Sequence, residues 1–272
     1  MDTNMILPCK LCRKNLADKK NSHIVPRFLT KDILGNDGPR VAHILDTSTP
    51  FSKPSSFQDS PKENHILCTE CENYFGLLET YIADRIGNRY INPYYRDNFT
   101  LQNSGQGIDF IICEKVSPII TKLFVYSIFW RCSISKSILF SGFSLNITEE
   151  ELLRQFLIGY KNKHLKDVTE DVFSNDFPYV IFRTKHKDPD PSKNFLYANN
   201  GNKDIYQIIA NEYIFLLAFE TSGTILTLKI LINQSNDKVK IGLLSKNSWE
   251  NLRQGLYSHA ASIAVKNANK TV

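Results

Sequence analysis

With 272 residues, 42% of them hydrophobic and 22% charged, the chain has an ordinary globular composition and material for one large or two modest cores. Its longest apolar run, near Ile119 to Trp130, is broken at Lys122 and closed by Arg131, short of the ~20 residues of a membrane span. Met1 to Pro8 lacks the basic start of a secretory leader, so a cytoplasmic location with no membrane partner is expected, and the net charge of +5 by itself calls for no nucleic-acid partner.

From the N-terminus, Cys9-Lys-Leu-Cys12 reads as a first metal knuckle, and Asp18-Lys19-Lys20-Asn21 as a turn into a short strand that carries His23. Pro26 has no backbone donor and holds Val25 extended, which fixes how that strand leaves. Phe28, Leu29, Ile33 and Leu34 recur at helical spacing and read as packing. Residues 46–63, rich in serine and containing Pro50, Pro54 and Pro61, read as a long loop. Cys68-Thr-Glu-Cys71 is a second knuckle, and it opens a helix of about 20 residues marked by Tyr74, Leu77, Leu78, Tyr81 and Ile82. The polar stretch Asn98 to Gly107 reads as a linker, dividing the chain into residues 1–100 and 101–272.

Beyond it, Ser117-Pro118 starts a helix with serine as cap and proline in the first turn. Apolar almost all round as far as Trp130-Arg131, this helix is expected to be buried. Thr148 and Glu151 have the spacing of a capping box for a helix ending near Lys161. Tyr179–Thr184, Ile205–Ile209, Ile214–Glu220, Ile225–Gln234 and Val239–Leu244 then read as strands, and Trp249 to about Asn267 as a last helix. The expected fold class is α+β, a zinc-stapled N-terminal unit followed by an α+β unit with an antiparallel sheet.

Four thiolates in two C-x-x-C knuckles, Cys9, Cys12, Cys68 and Cys71, are the ligand set of a tetrahedral structural zinc, with 55 residues in the loop between the pairs. They read as scaffold rather than catalyst. Six cysteines in so long a chain suit metal binding in a reducing compartment better than disulfides, and Cys113 and Cys132 read as buried small apolar residues. Charge concentrates between Lys10 and Arg40, where Lys10, Arg13, Lys14, Lys19, Lys20, Arg27, Lys31 and Arg40 stand against Asp18, Asp32 and Asp37. Clustered cations carry phosphate affinity, so a phosphate-binding face is expected around His23.

Cys-x-x-Cys, then Ser22-His23-Ile24-Val25-Pro26, then Leu67-Cys68-x-x-Cys71 at a helix start resembles the HNH, or ββα-metal, endonuclease superfamily, over roughly residues 7 to 85. The resemblance implies a treble-clef zinc unit with a second, catalytic divalent ion, Mg²⁺ or Mn²⁺. It implies that His23 is the general base that deprotonates water and that Ser22 and Glu72 stand at the two ligand positions for the catalytic ion. It also implies that Asn64 steadies the loop. Histidine suits the base because its pKa lies near working pH, and a carboxylate such as Glu72 suits a hard cation. Ser22 departs from the Asp or His usual there, so metal affinity should be weaker unless Glu63, Glu70 or Glu79 helps. Glu79 shares a helix face with Glu72 but lies about 10 Å further along the axis. It therefore either reaches the ion through another loop geometry or pairs with a cation of the basic segment. Ser22 to Phe28, Glu72, Glu79 and Trp130-Arg131 together look like a subset of bacterial HNH-like proteins, for which defence against phage is the expected context.

The favoured expectation is a metal-dependent endonuclease acting on DNA, with residues 101–272 selecting substrate or protein partner. The alternative is a noncatalytic zinc module that binds nucleic acid or a protein, with His23 a structural histidine packed against the zinc loop. An RNA-cleaving toxin of the same fold is not separated from the first by sequence. His65 reads as a loop residue, His43, His164, His186 and His259 as surface or core histidines, and Trp130-Arg131 as core and helix end.

Overall fold

The computed structural model describes residues 7–34, 42–44, 55–103, 108–168, 177–185, 195–200, 205–220, 223–233 and 238–268. Arg40, Asp37, Pro50, Pro54, Gly107 and His186 lie outside the described residues, as does the side chain of His43. The N-terminal part holds β1 (Ser22–His23), α1 (Arg27–Thr30), β2 (Ala42–Ile44), β3 (Ser55–Phe57), β4 (Lys62–Glu63) and α2 (Thr69–Ile82). β1 pairs with β4 and β2 with β3, each antiparallel. The helix runs on past α2 through a π-helical stretch (Ala83–Asn88) into α3 (Arg89–Ile91), close to the expected length.

A mixed sheet of seven strands dominates the rest, in the order β5 (Phe99–Asn103), β6 (Asp109–Cys113), β11 (Val239–Leu244), β7 (Tyr179–Thr184), β10 (Tyr213–Leu217), β9 (Tyr206–Ala210) and β8 (Leu196–Asn199). Its pairs are antiparallel except β11 with β7. Successive residues of a strand face opposite sides, and both sides here are covered. Tyr179 and Ile181 of β7 join one buried cluster and Val180 and Phe182 the other; on β10, Tyr213 and Phe215 oppose Ile214 in the same way. This is why β7 is buried at every position, and apolar from Tyr179 to Phe182, rather than alternating. Gly242 of β11 sits opposite Phe182, where an added Cβ would meet the ring at 2.5 Å, so glycine lets the ring lie against the β11 backbone.

One face of the sheet carries α4 (Pro118–Ile134), which contributes buried residues along nearly its whole length. At roughly 1.5–3 kcal/mol for each large apolar side chain buried, this helix is a main contributor to the core. α2 and α5 (Ile147–Tyr160) pack against it, and the cluster runs without a break from Cys9 to Leu243. The other face is covered by a 3-10 segment (Gly223–Leu231) and by α6 (Lys246–Ala268) through Trp249. The mixed α+β class with a large, mostly antiparallel sheet is therefore as expected.

Several local expectations are corrected. Ile225–Gln234 is not a strand in its described part: both edges of β7 are already paired, so Ile225 and Leu231 bury themselves under the sheet face instead, and Asn233 alone bridges to Tyr179. The linker stretch begins with β5, an edge strand whose mostly exposed residues gave it the polar look of a loop. The loop expected over residues 46–63 holds β3 and β4 in its described part, and β6 and β8 stand where no strand was expected. The capping box lies two residues early: Asn146 accepts from Glu149 N at 2.9 Å and Glu149 Oε2 accepts from Asn146 N at 3.2 Å.

Candidate functional site

Backbone hydrogen bonds bring the two knuckles together. Cys9 N donates to Asn15 O and Arg13 N to Cys9 O, both at 2.8 Å, and Arg13 closes the turn in the left-handed region at φ 56°. Lys10 N donates to Ile66 O at 2.9 Å and Lys19 N to Leu67 O at 3.1 Å, which lays this turn against the approach to Cys68. Cys68 is the N-cap of α2 and Cys71 lies in its first turn. The cap itself comes from elsewhere: Asp18 accepts from Thr69 N at 2.8 Å and from its Oγ1 at 3.0 Å, so the Cys68 sulfur is left for other partners.

The sulfurs of Cys9, Cys12, Cys68 and Cys71 lie within 4.8 Å of one another, Cys12 to Cys68 at 3.8 Å, and all four residues are buried. Zn–S bonds near 2.3 Å set sulfur separations of ~3.8 Å in a tetrahedron, so the cluster can hold such an ion with small adjustments. The Cys71 thiol beside it holds Cys9 down at about 4, while that same contact and burial push Cys71 far up, and burial raises Cys68. Sharing protons alone, the group favours one thiolate over four; a divalent cation removes that conflict. α5 holds both knuckles from the side, with Arg154 Nη1 donating to Leu11 O at 2.7 Å, Arg13 paired with Glu151 at 2.6 Å and Lys161 with Glu70 at 2.7 Å.

β1 presents His23. In its register Ser22 pairs with Glu63 and His23 with Lys62, and Ile24 N extends the pairing to Pro61 O at 2.9 Å. The imidazole is half-buried, and its Nδ1 lies 2.7 Å from Ser60 Oγ. Ser60 is 4% exposed; its Oγ is 3.2 Å and its backbone N 2.7 Å from Asp59 Oδ1. Lys62 Nζ donates to Asp59 Oδ2 at 2.5 Å and holds that carboxyl below its usual range. Burial pushes the imidazole's pKa down, aided by Lys62 and Arg131 and opposed by Glu79 and Asp59. Neither Asp59 nor Ser60 was a sequence candidate, because only the β1–β4 pairing brings the residues before Lys62 to the His23 ring.

Ser22 is fully buried; among the described residues its Oγ and the buried Glu72 Oε2 have no close hydrogen-bond partner, though the two groups lie near each other. Burial raises the Glu72 carboxyl, an effect opposed by the nearby Ser22 hydroxyl and by the Arg131 charge. Glu79 pairs at 2.6 Å with Arg131, a cation from α4 rather than from the basic segment. The Arg131 guanidinium, 1% exposed, also donates to His23 O at 2.8 Å and to Ser127 O at 3.1 Å, and it lies over the Phe75 ring. The Glu79–Arg131 pair therefore acts on both His23 and Glu72.

Other candidates are engaged elsewhere. Asn64 Oδ1 accepts from Asn21 N at 2.8 Å and steadies a turn in which Asn21 has φ 58°. Glu63 accepts from Ser135 Oγ and from the backbone of Lys136 and Ser137 at 2.7 and 2.8 Å, and Glu70 pairs with Lys161. His65 Nδ1 is bonded to Ala17 O at 2.9 Å, while His164 and His259 are exposed. Of the basic stretch, Lys14, Lys20, Arg27 and Lys31 are exposed and Lys10 and Lys19 half-buried. Cys113 and Cys132 are buried, and burial pushes the Cys113 thiol up to about 12. Among the described residues no helix is long and apolar enough to cross a membrane. A scan of protein-family models and searches of curated proteins and of solved structures find no match for the chain.

Proposed function

We propose that the cysteine unit is a zinc-stapled treble clef of the ββα-metal type and that the protein is a metal-dependent endonuclease hydrolysing phosphodiesters, with DNA the first substrate to test. The observation that carries this reading is the pair of buried oxygens, Ser22 Oγ on β1 and Glu72 Oε2 on α2, the helix that Cys68 opens; they lie near each other with no close hydrogen-bond partner among the described residues. A buried polar atom without a partner costs about 1–3 kcal/mol, so a ligand that engages both oxygens would offset a cost the fold otherwise carries. One carboxylate and one hydroxyl fit a Mg²⁺-type ion, which takes few protein ligands and leaves its other positions to water and phosphate oxygens. When bound, such an ion supplies positive charge for the phosphate and its leaving group.

The chain's own residues do the rest. His23 takes the proton of the attacking water, and a pKa lowered by burial keeps the ring in its basic form at neutral pH. Arg131 fixes the backbone of the base through the His23 carbonyl. Lys14, Lys20, Arg27 and Lys31 offer exposed cations to the nucleic-acid backbone.

A second reading, a zinc module that binds without cutting, is favoured by one observation: Glu79, the acid that acts on the Glu72 carboxyl, is already neutralised by Arg131. The test is incubation of plasmid DNA with the purified protein and Mg²⁺ or Mn²⁺, wild type beside His23→Ala. Nicking by the wild type that His23→Ala loses supports the endonuclease. Retarded migration without nicking under either metal supports the binding module.

A further inference from the structure

We propose that Ser60 and Asp59 are positioning residues for His23, holding its imidazole in the tautomer with hydrogen on Nδ1 so that Nε2 is the basic nitrogen. The supply of donors and acceptors around the ring decides the tautomer. Asp59 carries no hydrogen to give: Lys62 Nζ donates to its Oδ2 at 2.5 Å and Ser60 N to its Oδ1 at 2.7 Å, which keeps the carboxylate ionised and fixed. The Ser60 hydroxyl has one hydrogen and two neighbours, Asp59 Oδ1 at 3.2 Å and His23 Nδ1 at 2.7 Å. If it donated to Nδ1, its lone pairs would face the carboxylate oxygen with nothing between them. If it donates to Asp59, the same oxygen accepts from Nδ1–H and both contacts are satisfied. Ser60 is 4% exposed, which leaves water little room to substitute.

The charged groups around the ring come from every element packed on it: Asp59, Lys62 of β4, Glu79 of α2 and Arg131 of α4. Among the described residues the hydrogen bond to the ring itself is Ser60's, while Arg131 holds the histidine's backbone carbonyl. Lys62 is His23's cross-strand partner, so the chain Lys62, Asp59, Ser60, His23 closes within one two-stranded pairing. The tautomer stands on these bonds alone; its catalytic use rests on the nuclease reading above, since a base must keep its lone pair on the nitrogen that meets the water.

The test is ¹⁵N NMR of histidine-labelled protein at about pH 8, where a neutral imidazole reports its tautomer through its two nitrogen shifts. Wild type should show Nδ1 protonated, Ser60→Ala should drift to the mixture of free histidine, and Ser60→Thr, which keeps the hydroxyl, should restore the wild-type pattern. Asp59 has a 59% exposed side chain, so Asp59→Ala does not threaten the core and decides the matter if Ser60→Ala fails to fold; it should move the tautomer in the same direction. A wild type protonated on Nε2, or a tautomer unmoved by Ser60→Ala or Asp59→Ala, overturns the proposal. In cleavage assays Ser60→Ala should lower kcat on the order of 10²-fold with KM little changed, and Ser60→Thr should recover it. Tautomer shifts as stated in a protein that cuts nothing would sink the nuclease reading and leave the positioning role standing. Cleavage with a tautomer indifferent to Ser60 would do the reverse.

Discussion

Arg131 and Glu79 form an ion pair at 2.6 Å in which the guanidinium is 1% exposed and the carboxylate 20%. Because the same Nη1 also reaches the His23 carbonyl, the pair ties the buried helix α4 to both α2 and β1. Removing one member of such a pair leaves a charge without compensation, a loss of about 3–5 kcal/mol. Glu79→Ala should therefore lower stability by about 3 kcal/mol. Arg131→Met with Glu79→Ala should cost less than the two single changes summed. Urea unfolding of the four proteins gives the coupling directly, and additive losses would show that the pair contributes nothing.

Zinc should be resident and structural. The protein as purified should carry one zinc per chain by elemental analysis, and Cys9→Ser or Cys71→Ser should lose it. Chelation should lower Tm and open the N-terminal unit to proteolysis, because the free energy of metal binding is then lost from the free energy of folding. A metal-free protein with unchanged Tm would make the cluster an ordinary set of buried thiols.

Glu72 carries a sign that separates function from stability. Burial raises its folded pKa above the unfolded value, so the stability it allows is full below the unfolded pKa and is lost as pH rises through the folded one. Without divalent ions at neutral pH, Glu72→Gln should then melt higher than wild type. Added Mg²⁺ or Mn²⁺ should raise the Tm of wild type and leave the variant where it is. A metal-induced shift of equal size in both would remove Glu72 from the site.

Glu151 behaves oppositely. Arg154 beside it holds the carboxyl at about 2, below its ordinary value of 4.5, so its contribution is present above that value and lost as pH falls toward 2. Its side chain is 30% exposed, and solvent screening reduces the contribution to about 1 kcal/mol. Glu151→Gln should cost that much at pH 7 and progressively less in acid. A deficit independent of pH, read from urea midpoints, would place the loss in packing rather than charge.

Lys19 and Lys20 precede β1, half-buried and exposed respectively. If each neutralises one phosphate and frees its counterion, replacing both by alanine should weaken DNA binding and reduce the slope of log K against log salt by about 2. The same slope in wild type and variant would move the nucleic-acid surface elsewhere on the chain.

What the sequence determined by itself was local chemistry and strong periodicity. The two knuckles announced a four-sulfur cluster, and the mostly apolar run after Ser117-Pro118 announced the buried α4, because thiol spacing and hydrophobic pattern are properties of neighbouring residues. Polar edge strands such as β5 escaped, since an exposed edge leaves no apolar alternation to read. The Ile225–Gln234 run misled for the opposite reason: burial alone made it apolar, and pairing is not written in hydropathy. At the site, Ser22, His23 and Glu72 were legible as residue types, but not that the Ser22 hydroxyl and the Glu72 carboxyl would be buried near each other. Nor was it legible that Arg131 would claim Glu79, or that Ser60 would meet the His23 ring. Those relations join residues 37 to 108 positions apart, and only tertiary packing, which sets which distant side chains share a low-dielectric pocket, decides them.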